Sequence, residues 1–329
     1  MNGASSQDDA ISEVAAALDG AHRILVAAHR NPDGDAIGSL LGLTHLLRDR
    51  GKSPVAYCPD GMPRKLAFLP GATSVVGDVA NERFDASVLL DTPDTGLFPA
   101  GFPAPDRRGV FVVIDHHSRY EPLGDAVLRM NASAVGEVLY HLAETADWTI
   151  GDDAAECLYT AIVSDTSSFK YKSATPESHR VAAALLERGD FAWEVASHLF
   201  ESFTIARQRL LAEVLGTLTV SLEGRFASLC CTREMMRAAG ASNGDLDGMV
   251  NNARAIEGVV LAALLRETDN GTVRVSLRSK GGVDAAKVAA HLGGGGHINA
   301  GGAYLESTTV ADALERVMDA AAQELPSPV

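Results

Sequence analysis

Residues 24–35 read ILVAAHRNPDGD, an apolar run that ends in a polar turn. The run Ile24 to Ala28 predicts a buried β-strand, and the segment Ala36 to Arg50 predicts a helix. The proline and the glycine of the turn keep it non-helical, so that Asp35 is expected to cap the helix that begins near residue 36. Strand, turn and helix in this order are typical of the first unit of an α/β sheet.

The same alternation continues to about residue 190. Strands are predicted at Pro54 to Cys58, Ala86 to Leu90 and Val110 to Ile114, and helices at Ser133 to Thr145 and Asp153 to Val163. This pattern favours a mostly parallel sheet with helices on both faces. We therefore place a first domain at residues 12–190.

The pattern changes after residue 190. Residues 191–217 have helical spacing and no strand pattern, and they are predicted to connect two domains. Beyond them, the turn sequences Glu223-Gly224 and Asp269-Asn270-Gly271 predict two hairpins. Helices are predicted at Leu246 to Ala255, Val283 to His291 and Val310 to Glu324. A smaller mixed-sheet α/β domain is therefore expected at residues 218–325.

Composition limits the classes of protein to which this chain can belong. A length of 329 residues suits two domains, and 46% hydrophobic residues provide for a sizeable core. No apolar run is as long as a membrane span, and residues 1–10 lack a basic and apolar leader, so a cytoplasmic location is expected. A net charge of −15 argues against long nucleic acid as a ligand. The four cysteines form no C-x-x-C pair, so a thiolate zinc site is not expected.

Polar side chains follow four separate apolar stretches of the first domain. They are His29, Asp33 and Asp35 in the first turn, Asp91 in the second, Asp115-His116-His117 in the third and Asp165 in the fourth. Because the carboxyl ends of parallel strands lie side by side, these turns are expected to line one cleft. Nitrogen and oxygen ligands without a thiolate suit a pair of hard cations, with Mn²⁺ favoured over Zn²⁺. Paired cations serve phosphoester hydrolysis, and Asp91 is the best candidate to bridge them.

Two further patterns concern substrate. Adjacent histidines after a strand cannot point the same way, so one of His116 and His117 can bind a cation while the other faces substrate. Asp115 beside them is suited to orient the ring of the ligating histidine. In the second domain, the glycines of residues 293–302 allow backbone N–H groups to approach an anion closely, although a flexible linker is the alternative. His297 in this stretch can bond a phosphate or a base, and Arg278-Ser279 upstream offers a guanidinium group, with Arg254 as a further candidate.

These motifs together resemble those of a known family. The sequence H-x-N-P-D-G-D-A-x-G-S from His29, followed by Asp91, Asp115-His116-His117 and Asp165, is similar to the successive motifs of the DHH phosphoesterase superfamily. The glycine-rich stretch with His297 resembles the associated DHHA1 nucleotide-binding domain. Over residues 20–325 the likeness is to the bifunctional oligoribonuclease and phosphoadenosine-phosphate phosphatase group, the nanoRNases.

The resemblance implies an activity and a set of site residues. It implies two Mn²⁺ ions per chain, for which Mg²⁺ or Co²⁺ can substitute, and a homodimer formed through the first domain. The implied metal ligands are His29, Asp33, Asp35, Asp91, His116 and Asp165, with Asp91 shared, while His117 and Asp115 serve catalysis. The implied substrate contacts are Arg278, Ser279, Gly295, Gly296 and His297, together with Arg254. The implied substrates are short oligoribonucleotides, dinucleotides such as pApA, and pAp, with cyclic di-AMP as a further candidate.

Alternatives remain open at this point. A manganese inorganic pyrophosphatase or a single-strand exonuclease of the same superfamily would share the aspartate motifs. A non-catalytic nucleotide sensor would not need all six ligands intact. The chain also departs from the family pattern, because Gly301 stands where the family loop has a second alanine, which is expected to loosen the loop.

Overall fold

The computed structural model describes residues 3–93, 95–117, 120–268 and 271–325, with the side chains of residues 3–6 and 297 left undescribed. The chain forms two compact units, Met1–Ser202 and Phe203–Val329. Each unit has its own sheet and its own buried core. In the described residues, no helix combines the length and the apolar composition that crossing a bilayer requires.

Unit 1 is built on a five-stranded parallel sheet. Its strands are β1 (Arg23–Ala28), β2 (Ser53–Tyr57), β3 (Ala86–Leu90), β4 (Val110–Asp115) and β5 (Ala126–Arg129), in the order β2-β1-β3-β4-β5. The four predicted strands are therefore confirmed to within one residue at each end. The short edge strand β5 was not predicted, because four residues carry too little of an apolar pattern.

The helices of unit 1 mostly cover one face of this sheet. They are α1 (Gly3–Asp19), α2 (Gly34–Asp49), α3 (Pro105–Arg108), α4 (Val135–Thr145), α5 (Asp152–Asp165), α6 (Pro176–Leu186) and α7 (Ala192–Phe200). Ile24 and Val26 of β1 join the large core that α1, α2, α4 and α5 bury. Leu25 and Ala27 point to the other face, where aromatic side chains from loops and 3₁₀ turns, such as Phe84 and Phe98, cover them.

Unit 2 carries a mixed sheet, as predicted, and the sheet has six strands. Its strands are β6 (Thr219–Ser221), β7 (Phe226–Cys231), β8 (Leu261–Glu267), β9 (Val273–Ser279), β10 (Gly295–His297) and β11 (Ala300–Leu305), in the order β10-β11-β9-β8-β7-β6. Among the strands that the structure describes in this unit, only β7 and β8 pair in parallel. Both predicted hairpins have antiparallel strands, although the turn residues Asp269 and Asn270 lie outside the described residues.

The helices of unit 2 lie on both faces of its sheet. They are α8 (Ile205–Leu215), α9 (Arg233–Ala239), α10 (Val250–Arg254), α11 (Ala285–His291) and α12 (Val310–Glu324). The helix predicted from Leu246 is shorter than expected, because Gly248 adopts a positive φ of 76° and separates a 3₁₀ turn from α10. The predicted connector, residues 191–217, contains α7, which packs in the core of unit 1, and α8, which packs in unit 2.

Candidate metal centre and nucleotide-binding residues

Three of the four predicted turns meet at the carboxyl edge of the unit 1 sheet. His29 follows β1, Asp91 follows β3, and His116 and His117 follow β4, which ends at Asp115. The fourth contributor, Asp165, is the last residue of helix α5 rather than the end of a strand. The carboxyl ends of β1, β3 and β4 and the C-terminal end of α5 thus deliver residues far apart in sequence to one place.

The polar side chains form overlapping groups in which potential ligand atoms lie within 4.8 Å of one another. One group contains His29, Asp33 and Asp91, a second contains Asp35, His116 and Asp165, and a third contains Asp91, His116 and His117. Every residue predicted as a metal ligand is therefore present in this cluster.

Asp91 lies between the first two groups. Its Oδ2 is 3.4 Å from Nε2 of His29, and its Oδ1 is 3.4 Å from Nε2 of His116. The side chain is buried, and Oδ1 has no hydrogen-bond partner among the described residues. The backbone of Asp91 adopts a positive φ of 55°, an unfavourable conformation for a non-glycine residue that is often found at functional sites. A buried carboxylate oxygen without a partner is the arrangement expected of a cation ligand.

Backbone carbonyls orient the two histidines that face Asp91. Nδ1 of His29 donates to the carbonyl of Arg30 at 2.9 Å, and Nδ1 of His116 donates to the carbonyl of Ala132 at 3.2 Å. A carbonyl can only accept, so the proton of each neutral ring lies on Nδ1. In a neutral ring, the lone pair of Nε2 therefore lies on the side of the carboxylates, where a cation would bind, as in metal-binding histidines.

Asp35 does not cap helix α2, in contrast to the sequence expectation. The helix begins at Gly34, and Asp33 is the capping residue, with Oδ1 accepting from the backbone N–H groups of Asp35 and Ala36. The carboxylate of Asp35 is instead buried and accepts from the backbone N–H groups of Val135 and Gly136 at 2.7 and 3.2 Å. The first turn of α4 thus holds Asp35, which is favourable because a helix N-terminus stabilises negative charge.

Asp115 orients His117 rather than the ligating histidine. Its Oδ1 accepts from Nδ1 of His117 at 2.7 Å, and its Oδ2 accepts from Nε of Arg129 at 3.2 Å. Burial raises the pKa of Asp115, but hydrogen bonds from His117 and Arg129 outweigh it and hold the pKa below its usual value. Sequence reasoning missed Arg129, because the parallel register that pairs Asp115 with Arg129 has no local signal.

The cluster contains more carboxylates than histidines, and this excess of negative charge shifts the pKa values of its members. Burial raises the pKa of Asp35 well above its usual value, and the neighbouring Asp91 adds to this effect. Burial and nearby carboxylates likewise raise the pKa of Asp165 to about 6. Burial would lower the pKa of both histidines, but the negative charges of Asp91 and the neighbouring carboxylates raise it to about 9 for His29 and about 11 for His116. The carboxylates thus attract positive charge strongly, and divalent cations fit this donor set.

Two glycines allow α2 to approach α5 closely enough to form the cluster. A Cβ on Gly34 would lie 2.1 Å from Oγ of Ser164, and a Cβ on Gly38 would lie 2.6 Å from the carbonyl of Cys157. Neither position has room for a side chain without a shift of the helices. These glycines therefore keep α2 close to α5, which brings Asp35 of α2 near Asp165 of α5.

The residues predicted to contact substrate in unit 2 lie around the β9 end and the glycine-rich hairpin. Arg278 is half-buried, stands opposite Ala300 of β11, and donates from Nη1 to its neighbouring carbonyl of Leu277. Ser279 is buried, and its hydroxyl donates to the carbonyl of Ile298 at 2.8 Å, so that it fixes the tip of the hairpin. Arg254 is half-buried at the end of α10.

The glycine-rich stretch is a β-hairpin and not a loop. Gly295 and Gly296 lie on β10 and pair with Gly302 and Gly301 of β11. The side chain of His297 lies outside the described part of the structure, so its predicted contact stays a prediction. Glycine is required here for close packing, since a Cβ on Gly296 would lie 2.3 Å from the carbonyl of Ala300.

Gly301 therefore tightens the hairpin instead of loosening it. A Cβ at this position would lie 2.5 Å from the carbonyl of Ala285 at the start of α11. We expect Gly301→Ala to lower the free energy of unfolding of unit 2 by about 1–3 kcal/mol, because the strand and helix must move apart. Gly295→Ala is the control, since a Cβ there meets nothing within 4 Å. Chemical denaturation of both variants measures the difference in their free energies of unfolding. Equal values would show that α11 can shift without loss of stability.

Two arginines near Arg278 were also missed. Arg266 of β8 pairs with Arg274 of β9, and both line a cavity of about 100 Å³ together with Arg278 and Ser276. Nε of Arg266 is buried without a hydrogen-bond partner among the described residues. The spacing Arg274-x-Ser276-x-Arg278 on one strand could have indicated this basic face.

Comparison with known proteins agrees with this arrangement. The DHH family N-terminal domain matches residues 23–162, and the DHHA1 domain matches residues 227–325. A bifunctional oligoribonuclease and PAP phosphatase NrnA from Thermus thermophilus is 35% identical, over 96% of this chain and 93% of that protein. A protein of the same name from Bacillus subtilis is 27% identical over 88% of this chain and 92% of its own.

Among solved structures, an exopolyphosphatase-related protein from Bacteroides fragilis is 27% identical and has a TM-score of 0.86, over 96% of both chains. The DHH match lies within unit 1, and the DHHA1 match lies within unit 2. With these matches and the cluster of aspartate and histidine residues in unit 1, the chain belongs to the DHH–DHHA1 phosphoesterase superfamily.

Proposed function

We propose that the protein is a two-cation phosphoesterase that hydrolyses short oligoribonucleotides and dinucleotides to mononucleotides, and pAp to AMP. The observation that carries this proposal is the position of Asp91, whose two oxygens face histidines of two different ligand groups. A carboxylate between two such groups suits paired cations, which stabilise the attacking and leaving oxygens at phosphorus. The printed names of the two NrnA relatives support this substrate class.

The proposed cations are two Mn²⁺ ions, with Mg²⁺ or Co²⁺ as substitutes. One would be held by His29, Asp33 and Asp91, and the other by Asp35, Asp91, His116 and Asp165. Carboxylates outnumber histidines among these ligands, and a carboxylate-rich set without sulfur suits Mn²⁺. When bound, the cations would lower the pKa of a water nucleophile and neutralise charge on the phosphate.

The chain's own residues position the phosphate and hold protons. His117 donates from Nδ1 to Asp115, which leaves Nε2 to face a phosphate oxygen. Arg129 fixes the other oxygen of Asp115, so the ring of His117 is held in one orientation. In unit 2, the basic face around Arg278 would bind a nucleotide phosphate, with Gly295, Gly296 and His297 as further contacts.

A hydrolysis panel tests this function. We would measure kcat/KM with Mn²⁺ for pApA, pAp, cyclic di-AMP, inorganic pyrophosphate, a pentanucleotide and an RNA strand of about 24 nucleotides at two salt concentrations. We expect the highest values for about two to five nucleotides, with little dependence on salt, because few phosphates are held. Fastest hydrolysis of pyrophosphate would favour the pyrophosphatase alternative, and efficient cleavage of the long strand would favour an exonuclease. Light scattering on the same sample tests the proposed homodimer.

A second prediction separates nucleotide binding from cation binding. We expect Arg278→Ala and His297→Ala to raise KM by about ten- to a hundredfold, because each removes a charge-assisted contact worth about 1.5–3 kcal/mol. Neither variant should lose Mn²⁺, and metal analysis of the purified proteins measures this. Loss of manganese from either variant would place these residues among the cation ligands. It would contradict the assignment of cation binding to unit 1 and of nucleotide binding to unit 2.

A further inference from the structure

Tyr120 presents an exposed aromatic ring close to the metal centre of unit 1. It follows His117 by three residues, and 55% of its surface is exposed. Single exposed aromatic residues are common on proteins, so exposure alone indicates nothing. What distinguishes Tyr120 is what lies beneath its ring.

The guanidinium group of Arg129 lies against one face of that ring. The central carbon of the guanidinium is 3.8 Å from the ring centroid, a close cation–π stack. The side chain of Arg129 is only 14% exposed, and its Nη2 is buried without a hydrogen-bond partner among the described residues. The ring therefore covers a largely buried cation with one face, while just over half of the Tyr120 surface stays exposed.

This stack is tied to the catalytic residues through Asp115. Nε of Arg129 donates to Oδ2 of Asp115 at 3.2 Å, while Oδ1 of the same carboxylate accepts from the ring of His117 at 2.7 Å. One buried carboxylate thus fixes both the arginine beneath Tyr120 and the histidine proposed to face the phosphate. A ligand on the open face of Tyr120 would lie in a fixed position relative to that phosphate.

We infer that Tyr120, supported by Arg129, is a stacking platform for a nucleobase of the substrate, an inference that rests on the proposed function. A nucleobase is the flat group that accompanies a phosphate in the proposed substrates, and it stacks on aromatic side chains whatever its identity. The ring carries no charge, so it adds no repulsion to a substrate phosphate in a chain of net charge −15. The larger purines are expected to bind more tightly than pyrimidines, because they cover more of the ring.

Binding of AMP and of ribose 5-phosphate, which lacks the base, tests this inference without turnover. Calorimetry on the unaltered protein with Mn²⁺ present should show that AMP binds about ten- to a hundredfold more tightly than ribose 5-phosphate. This difference is the contribution of one stacked base. Tyr120→Ala should remove most of this preference, because it should lower the affinity for AMP and leave the affinity for ribose 5-phosphate unchanged. Tyr120→Phe should keep the preference, because the ring is retained.

Trp193→Ala is the matched control, since Trp193 is an exposed aromatic residue of unit 1 that lies on helix α7, with 70% of its surface exposed. It should leave both affinities unchanged. The inference would be overturned if Tyr120→Ala kept the full preference for AMP, whether both affinities stayed the same or both fell equally. Either result would assign base recognition to another residue. Failure of the proposed function is a separate result, because it would appear as absent hydrolysis of dinucleotides by the unaltered protein.

Discussion

Asp91→Asn is expected to reduce kcat by roughly a thousandfold, the scale expected when a group that stabilises the transition state is lost. The amide has nearly the shape of the carboxylate but cannot bridge two cations, because it lacks the negative charge and one of the two acceptor oxygens. Metal analysis should therefore show fewer than two Mn²⁺ per chain.

The fold should survive this change. The amide occupies the same space, and Oδ1 of Asp91 has no hydrogen-bond partner among the described residues that the change would remove. In the presence of a chelator, the variant should still unfold cooperatively but at a lower temperature than the unaltered protein, because His29 and His116 lose the negative charge that raises their pKa. Near-normal hydrolysis with Mn²⁺ would show that Asp91 does not bridge cations.

Asp115→Asn is expected to reduce kcat by about a hundredfold or more without releasing Mn²⁺. Asp115 contacts His117 and Arg129 and is predicted to act through His117, whose orientation it fixes. The loss of an orienting carboxylate behind a catalytic histidine has a comparable effect in other hydrolases. Unfolding should also occur at lower temperature, because Arg129 loses its charged partner.

A double-mutant comparison identifies the path of this effect. If Asp115 acts through His117, the double variant Asp115→Asn, His117→Ala should be little slower than His117→Ala alone. Fully multiplicative losses would show that the two residues act independently. Loss of manganese from Asp115→Asn would show instead that Asp115 holds the ligating histidine.

Much of unit 1 could be predicted because its signals are local. The continuous apolar runs of β1, β3 and β4 predicted buried parallel strands, and the polar residues after them predicted a shared cleft. The tertiary pairings could not be predicted. Asp35 finds its backbone donors 100 residues away at Val135, and Arg129 reaches Asp115 only through the register of β4 and β5.

Unit 2 shows a second reason for differences between expectation and structure. Glycines favour a flexible loop when only the sequence is considered, but here they allow two strands and α11 to pack closely. The absence of space around Gly301 depends on the position of Ala285, which no local pattern reveals. Similarly, Asp33 rather than Asp35 caps α2, because the buried position of Asp35 is set by the first turn of α4.

The most direct test of the two-cation centre is anomalous diffraction at the manganese edge from crystals grown with Mn²⁺. We predict two peaks in unit 1, separated by about 3.5–4 Å. Both should contact the carboxylate of Asp91, one on the side of His29 and Asp33, and the other on the side of Asp35, His116 and Asp165. A single peak, or peaks that do not touch Asp91, would contradict the proposed centre.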